Sequence, residues 1–183
     1  APSAWSRAGL YATWGSDASN VWFAGSGGNI VKWNGYALSA QASGTREGLS
    51  SLWGTSSTNV WAVGGAGTIL RWDGSTWSSQ PSGSTEFLRA VWAADSKNAW
   101  AVGNSGVILR WDGTTWQGVG NLTIEADLFG VTSLAFGPDG SLYAGGDITA
   151  AEGVQTRGLA RWDGARWVGA PGGPYGRVWS LVI

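Results

Sequence analysis

The chain of 183 residues contains no cysteine, no histidine and no methionine. Without cysteine there is no disulfide and no thiolate chemistry. That absence leaves the redox compartment open, because it suits secreted and cytosolic proteins alike. Without histidine, the commonest general base and the commonest metal ligand are missing. Without methionine, Ala1 is not a translation start, so the chain is expected to derive from a longer product. An Ala-Pro start suits removal of a secretory signal peptide, with a fragment as the alternative. Charge is scarce as well: 11 Lys and Arg face 12 Asp and Glu, for a net charge of −1. No field therefore draws nucleic acid or an anionic membrane. No apolar run approaches the roughly 18 residues that a membrane-spanning helix needs.

Tryptophan, by contrast, is abundant and periodic. Trp14, Trp53 and Trp92 lie 39 residues apart, as do Trp22, Trp61 and Trp100, and Trp33, Trp72 and Trp111. Trp77 and Trp116 obey the same spacing of 39. A fixed period in the range of about 20–50 residues marks a repeat architecture with one supersecondary unit per repeat.

Within a repeat, Gly, Asn, Asp and Ser punctuate short β-branched and aromatic runs such as Asn59-Val60-Trp61-Ala62-Val63-Gly64 and Thr68-Ile69-Leu70-Arg71-Trp72. This is strand grammar, at about four strands per repeat. No window carries a helical stripe, and glycine is too frequent for stable helices. The run at 60–63 is apolar on both faces, so each sheet should lie between neighbouring sheets. Small four-stranded sheets stacked face to face in a radial series predict an all-β β-propeller. Asn34-Gly35, Asp73-Gly74, Asp112-Gly113 and Asp163-Gly164 recur as hairpin turns. Their recurrence points to turn chemistry rather than catalysis.

The series Asn-Val-Trp-Ala-Val-Gly, Ile-Leu-Arg-Trp-Asp-Gly and Thr-Trp resembles the Trp-rich propeller repeats of bacterial extracellular and surface proteins. It is also similar to the Asp-box (BNR) repeat of sialidase-like propellers. It departs from that motif in spacing, because Gly74 directly follows Asp73. The resemblance therefore implies architecture and not sialidase activity, whose arginine triad and Tyr/Glu pair are not assignable here. Tachylectin-type and tectonin-type propellers, similar in their Trp-rich blades, imply a sugar-binding, lectin-like module.

The repeat divides the chain into one domain, 1–183, with four complete four-stranded blades at about 9–43, 48–82, 87–121 and 128–170. Trp100 to Trp111 spans 11 residues where Tyr143 to Trp162 spans 19, which puts an 8-residue insertion within Asp147–Gly158 of the fourth blade. An incomplete fifth blade is expected from 1–8 together with 176–183. Trp5 would belong to its last strand, and Val178, Trp179, Leu181 and Ile183 to its first. Such a strand is an apolar, uncharged edge, so strand-sharing is expected, with another copy or another polypeptide completing the blade.

Propeller geometry puts the inter-blade linkers on one face with the loops joining second and third strands. Glu47, Glu86 and Glu125 fall there, again 39 residues apart. Asp147, Glu152, Gln155 and Arg157 of the insertion should rise on the same face. Long loops on a rigid scaffold concentrate binding residues. These side chains are the candidates for holding a polar ligand, such as a glycan or a cation. The alternative is that the glutamates bond linker N–H groups or face water. Lys32, Arg71, Arg110 and Arg161 precede a Trp in every blade, which favours stacking on the rings over an anion-binding belt. No catalytic residue, metal ligand or cofactor is implied. The expected function is a non-catalytic binding module, extracellular or at the cell surface, for glycan or protein. A structural role in assembly is the alternative. A glycosidase-like enzyme is the third reading, since paired carboxylates can act without histidine.

Overall fold

A computed structural model describes residues 9–120, 122–124, 130–138, 140–170 and 176–181. Its order begins β1 (Leu10–Asp17), β2 (Asn20–Gly25), β3 (Ile30–Trp33), β4 (Leu38–Gln41), then β5 (Leu49–Ser56), β6 (Asn59–Gly64), β7 (Ile69–Trp72), β8 (Trp77–Ser79). It continues β9 (Leu88–Ala93), β10 (Ala99–Gly103), β11 (Ile108–Trp111), β12 (Trp116–Gly118), β13 (Leu122–Ile124), β14 (Val131–Phe136), β15 (Leu142–Gly146). Last come β16 (Ile148–Ala151), β17 (Val154–Gln155), β18 (Leu159–Trp162) and β19 (Trp167–Gly169). Among the described residues four antiparallel four-stranded sheets form, β1–β4, β5–β8, β9–β12 and β14-β15-β18-β19. We call them blades one to four. Trp5, Glu125 and Ile183 lie outside the described residues.

Successive first strands, β1, β5, β9 and β14, lie against one another and form the inner edge. They are tied across blades: Ser50 Oγ donates to Leu88 O at 2.6 Å, and Trp53 Nε1 donates to Ala93 O at 3.0 Å. The second strands are the most enclosed. Every residue of β6 and of β10 is buried, as expected for strands apolar on both faces. Blades one to three each turn one tryptophan of the second strand toward the next blade. Trp22 meets Trp72, Trp61 meets Trp111 and Trp116, and Trp100 meets Trp162 and Trp167, at centroid distances of 5.2–6.3 Å. Aromatic pairs in edge-on geometry contribute beyond the area that they bury.

The outer hairpins close on the expected turn chemistry. Asp73 Oδ1 accepts from the N–H groups of Ser75 and Thr76 at 2.8 Å, and Asp112 Oδ1 does the same for Thr114 and Thr115 at 2.8 Å. Gly74 and Gly113 follow at φ +105 and +102, a conformation open to glycine. The third-strand tryptophans hold the neighbouring first-to-second strand turn of their own blade: Trp33, Trp72 and Trp111 donate their indole N–H to Ala18, Ser57 and Ser96 carbonyls at 3.0–3.1 Å.

The insertion of blade four folds into a sheet of its own. β16 and β17 make a hairpin across Glu152 and Gly153, at φ +49 and +78, and β16 pairs antiparallel with β13 of the linker. Two consecutive residues at positive φ give the turn whose twist suits a two-residue hairpin. Ile148, Ala151 and Leu122 bury beside Trp100 and Trp167. Linkers and second-to-third loops share one face elsewhere too, since Gly67 N–H donates to Glu86 O at 2.8 Å. Residues 177–181 form no strand, yet Val178 is buried and occupies the place that Leu88 has beside blade two: Thr132 Oγ1 donates to Val178 O at 2.7 Å.

Candidate functional site

On the inner edge one column of the repeat changes character from blade to blade. Tyr11, Ser50, Arg89 and Thr132 occupy one position of the four first strands, because Leu10, Leu49, Leu88 and Val131 each pair with the glycine that ends the second strand. Hydrophobic neighbours recur around this column, but its own members differ in size and charge. Ser50, Arg89 and Thr132, together with Phe87 and Trp179, line a cavity of about 290 Å³ at the axis.

Each lining group has a defined hold. Arg89 Nε donates to Asn104 Oδ1 at 2.7 Å, and its guanidinium lies 5.2 Å from the Phe87 ring centre. Burial pulls the Arg89 pKa down, Asp147 opposes that shift and Arg177 adds to it. The group stays cationic, because an arginine starts far above neutrality. Asp147 is buried and ion-paired with Arg177 Nε. The Arg177 guanidinium in turn lies 4.5 Å over the Trp179 ring, and Trp179 is 65% exposed. The Ser50 and Thr132 hydroxyls donate to the carbonyls of Leu88 and Val178. The cavity wall therefore presents the Arg89 cation beside the Phe87 and Trp179 rings, and the Asp147–Arg177 pair lies next to it.

The residues expected from sequence are distributed more widely. Asp147 and Arg157 come together with Arg177 around a second cavity of about 230 Å³ at the base of the hairpin. Glu152 and Gln155 are exposed on that hairpin, at its tip and on its edge strand. Glu47 is exposed in the linker before β5, with its carboxylate near Gly65, and Glu86 is half-buried in the linker before β9. Their backbone N–H groups bond Thr45 Oγ1 and Ser84 Oγ at 3.1 Å, in equivalent loops. Among the described residues no group of Asp and Glu could hold a metal ion. Arg89, Phe87, Ser50 and Thr132 were missed as candidates. For Ser50, Arg89 and Thr132 the signal was legible as a first-strand column whose members differ in size and charge.

No protein-family model matches the chain, and no curated protein matches it. Solved structures do. YCF48 bound to D1 peptide superposes with a TM-score of 0.60 at 18% identity, over 87% of this chain and 52% of that one. YCF48 from Cyanidioschyzon merolae gives 0.60 at 16% identity, over 88% and 56%. The extracellular domain of the putative one component system BT4673 from B. thetaiotaomicron gives 0.66 at 12% identity, over 94% and 25%. The fold is a β-propeller. The chain spans about half the length of the two YCF48 structures and a quarter of the BT4673 domain. No helix among the described residues is long and apolar enough to cross a membrane.

Proposed function

We propose that this propeller is a non-catalytic binding module, and that its axial cavity on the linker face takes a polypeptide segment carrying an anionic group. The observation that carries the proposal is Arg89, a half-buried cation in the cavity wall between the Phe87 ring and the Asn104 amide. A guanidinium held in this way binds a carboxylate with little further loss of side-chain freedom. Phe87 and Trp179 supply exposed apolar area for the flanking residues, the mixture found at the centre of protein interfaces. A glycan fits this cavity less well, because the Ser50 and Thr132 hydroxyls already bond carbonyls and Asp147 is paired. A propeller of the same architecture, YCF48, has been seen bound to a peptide of D1, which supports a polypeptide ligand.

The test is selection from a displayed peptide library, followed by titration of the enriched peptides. Enriched sequences should carry Asp, Glu or a free C-terminal carboxylate. Their binding should weaken about tenfold or more in Arg89→Gln and fall with added salt. Enrichment of no peptide, or binding indifferent to Arg89→Gln, would overturn the proposal.

A second reading, assembly, rests on blade one. Leu38 is 41% exposed, while Trp77, Trp116 and Trp167 in the same column are 8%, 7% and 0% exposed. Phe23 and Trp33 on that blade are likewise half-buried among the described residues. A further blade-like sheet, from a second chain or a further segment, would cover this face. Light scattering tests the two-chain version: a concentration-dependent dimer that Phe23→Asp abolishes supports it, and a monomer at high concentration rejects it.

A further inference from the structure

The clefts between blades open on the face opposite the linkers, and a cation closes the first two. Lys32 Nζ lies 4.6 Å from Trp22 and 5.6 Å from Trp72, bridging blades one and two. Arg71 lies 5.0 Å from Trp61 and 5.7 Å from Trp111. Its Nε donates to Asn59 Oδ1 at 3.1 Å and its Nη2 reaches Ser96 O of blade three at 3.4 Å.

The third cleft is built from equivalent residues but is not closed. The Arg110 guanidinium lies 5.5 Å over Trp100 and stops there. It is exposed and makes no hydrogen bond among the described residues. The cause is local. Asn59 is held by Thr55 Oγ1, which leaves its amide oxygen aimed at Arg71. Asn98, its equivalent, is drawn instead to both oxygens of Asp95 at 3.1 and 2.9 Å. Blade four also alters the far wall. Ala135 stands in the column of Trp53 and Trp92, and the neighbouring Phe136 stacks on Trp92 at 3.9 Å and 22°. What remains is an open cleft of about 490 Å³, bounded by Trp92, Phe136, Trp100, Trp162, Asn98, Arg110 and Asp163 among others.

We propose that this cleft is a saccharide site for a neutral pyranose ring. Trp92, Phe136 and Trp162 are half-buried in the cleft wall; Phe136 covers a face of Trp92, so the C–H face of a sugar would rest on Phe136 and Trp162. Arg110 offers N–H donors, while the Asn98 amide oxygen and the Asp163 carboxylate offer acceptors. The Asp163 pKa is lowered by the N–H groups of Arg166 and Ala165, so the group is ionised at neutral pH. Opposite charges on one cleft disfavour a small ion of either sign. They suit a ring of hydroxyls, each of which both donates and accepts. The volume lies in the range of about 300–1,000 Å³ typical of small-molecule sites. This site is separate from the axial cavity and does not depend on it.

The experiment is saturation-transfer NMR of the chain with glucose, galactose, mannose and N-acetylglucosamine, each at millimolar concentration. At least one sugar should receive transfer, strongest on the protons of one ring face. Arg110→Gln and Phe136→Leu should each weaken that sugar about tenfold, and Arg89→Gln should leave it unchanged. Far-UV circular dichroism confirms that the variants fold, and the two cleft variants alter opposite walls. Silence with all four sugars overturns the proposal. So does transfer that both cleft variants leave intact, or that Arg89→Gln abolishes.

Discussion

At the scale of single residues, the carboxylates that recur in the turns act on stability through protonation. Asp73 has its pKa lowered from 3.8 to about 2 by the Thr76 N–H, then by the Ser75 N–H and hydroxyl. Asp112 and Asp17 are lowered further, Asp112 chiefly by the Thr115 N–H and Asp17 chiefly by the Ser19 hydroxyl. A carboxylate held below its unfolded pKa adds stability that is complete above that unfolded value and lost as pH falls through the folded one. Acid titration by circular dichroism should therefore show stability declining from about pH 4 toward about pH 2. Asp112→Asn should flatten that decline. Glycines divide as sharply. A side chain at Gly67, φ +66, would sit 1.8 Å from the Ser84 carbonyl oxygen, whereas one at Gly118 meets nothing within 4 Å. Gly67→Ala should cost more than about 1 kcal/mol in urea unfolding, and Gly118→Ala should be neutral or gain up to about 1 kcal/mol.

At the scale of elements, the tryptophan period translates directly into blades because each repeated residue has a repeated neighbour. Trp61 is fully buried against Trp111 and Trp116, 5.3 and 5.2 Å away. Trp61→Ala should cost about 3–5 kcal/mol by thermal or chemical denaturation, as large-to-small changes in packed cores do. The extra sheet β13-β16-β17 was less legible. The interruption at Asp147–Gly158 could be read from spacing, but its partner strand Leu122-Thr123-Ile124 carries no repeat and pairs only because the hairpin exists. The axial cavity was partly legible for a similar reason. Asp147 and Trp179 stood out as departures from the period, yet their meeting with Arg177 and Arg89 depends on how far the insertion folds back. A one-dimensional period reports which positions pack alike and is silent about contacts made once.

At the scale of the whole molecule, protection should follow enclosure. Native-state hydrogen exchange is expected to be slowest in β6 and β10, which are buried throughout, and fastest in β4, where Leu38, Ser39 and Ala40 are exposed. Uniform exchange across the blades would contradict that ordering. The cations between blades give the array a direction. Lys32 of blade one reaches Trp72 of blade two, and Arg71 of blade two reaches Trp111 and Ser96 of blade three, always from an earlier repeat to a later one. Each of the first two seams is thus a lock whose bolt is carried by one blade and whose socket by the next. Exchanging a blade would keep its leading seam whenever the newcomer offers a ring and a turn carbonyl, and its trailing seam whenever it brings its own cation. Blades of this repeat are therefore interchangeable by two separate criteria, one for each side.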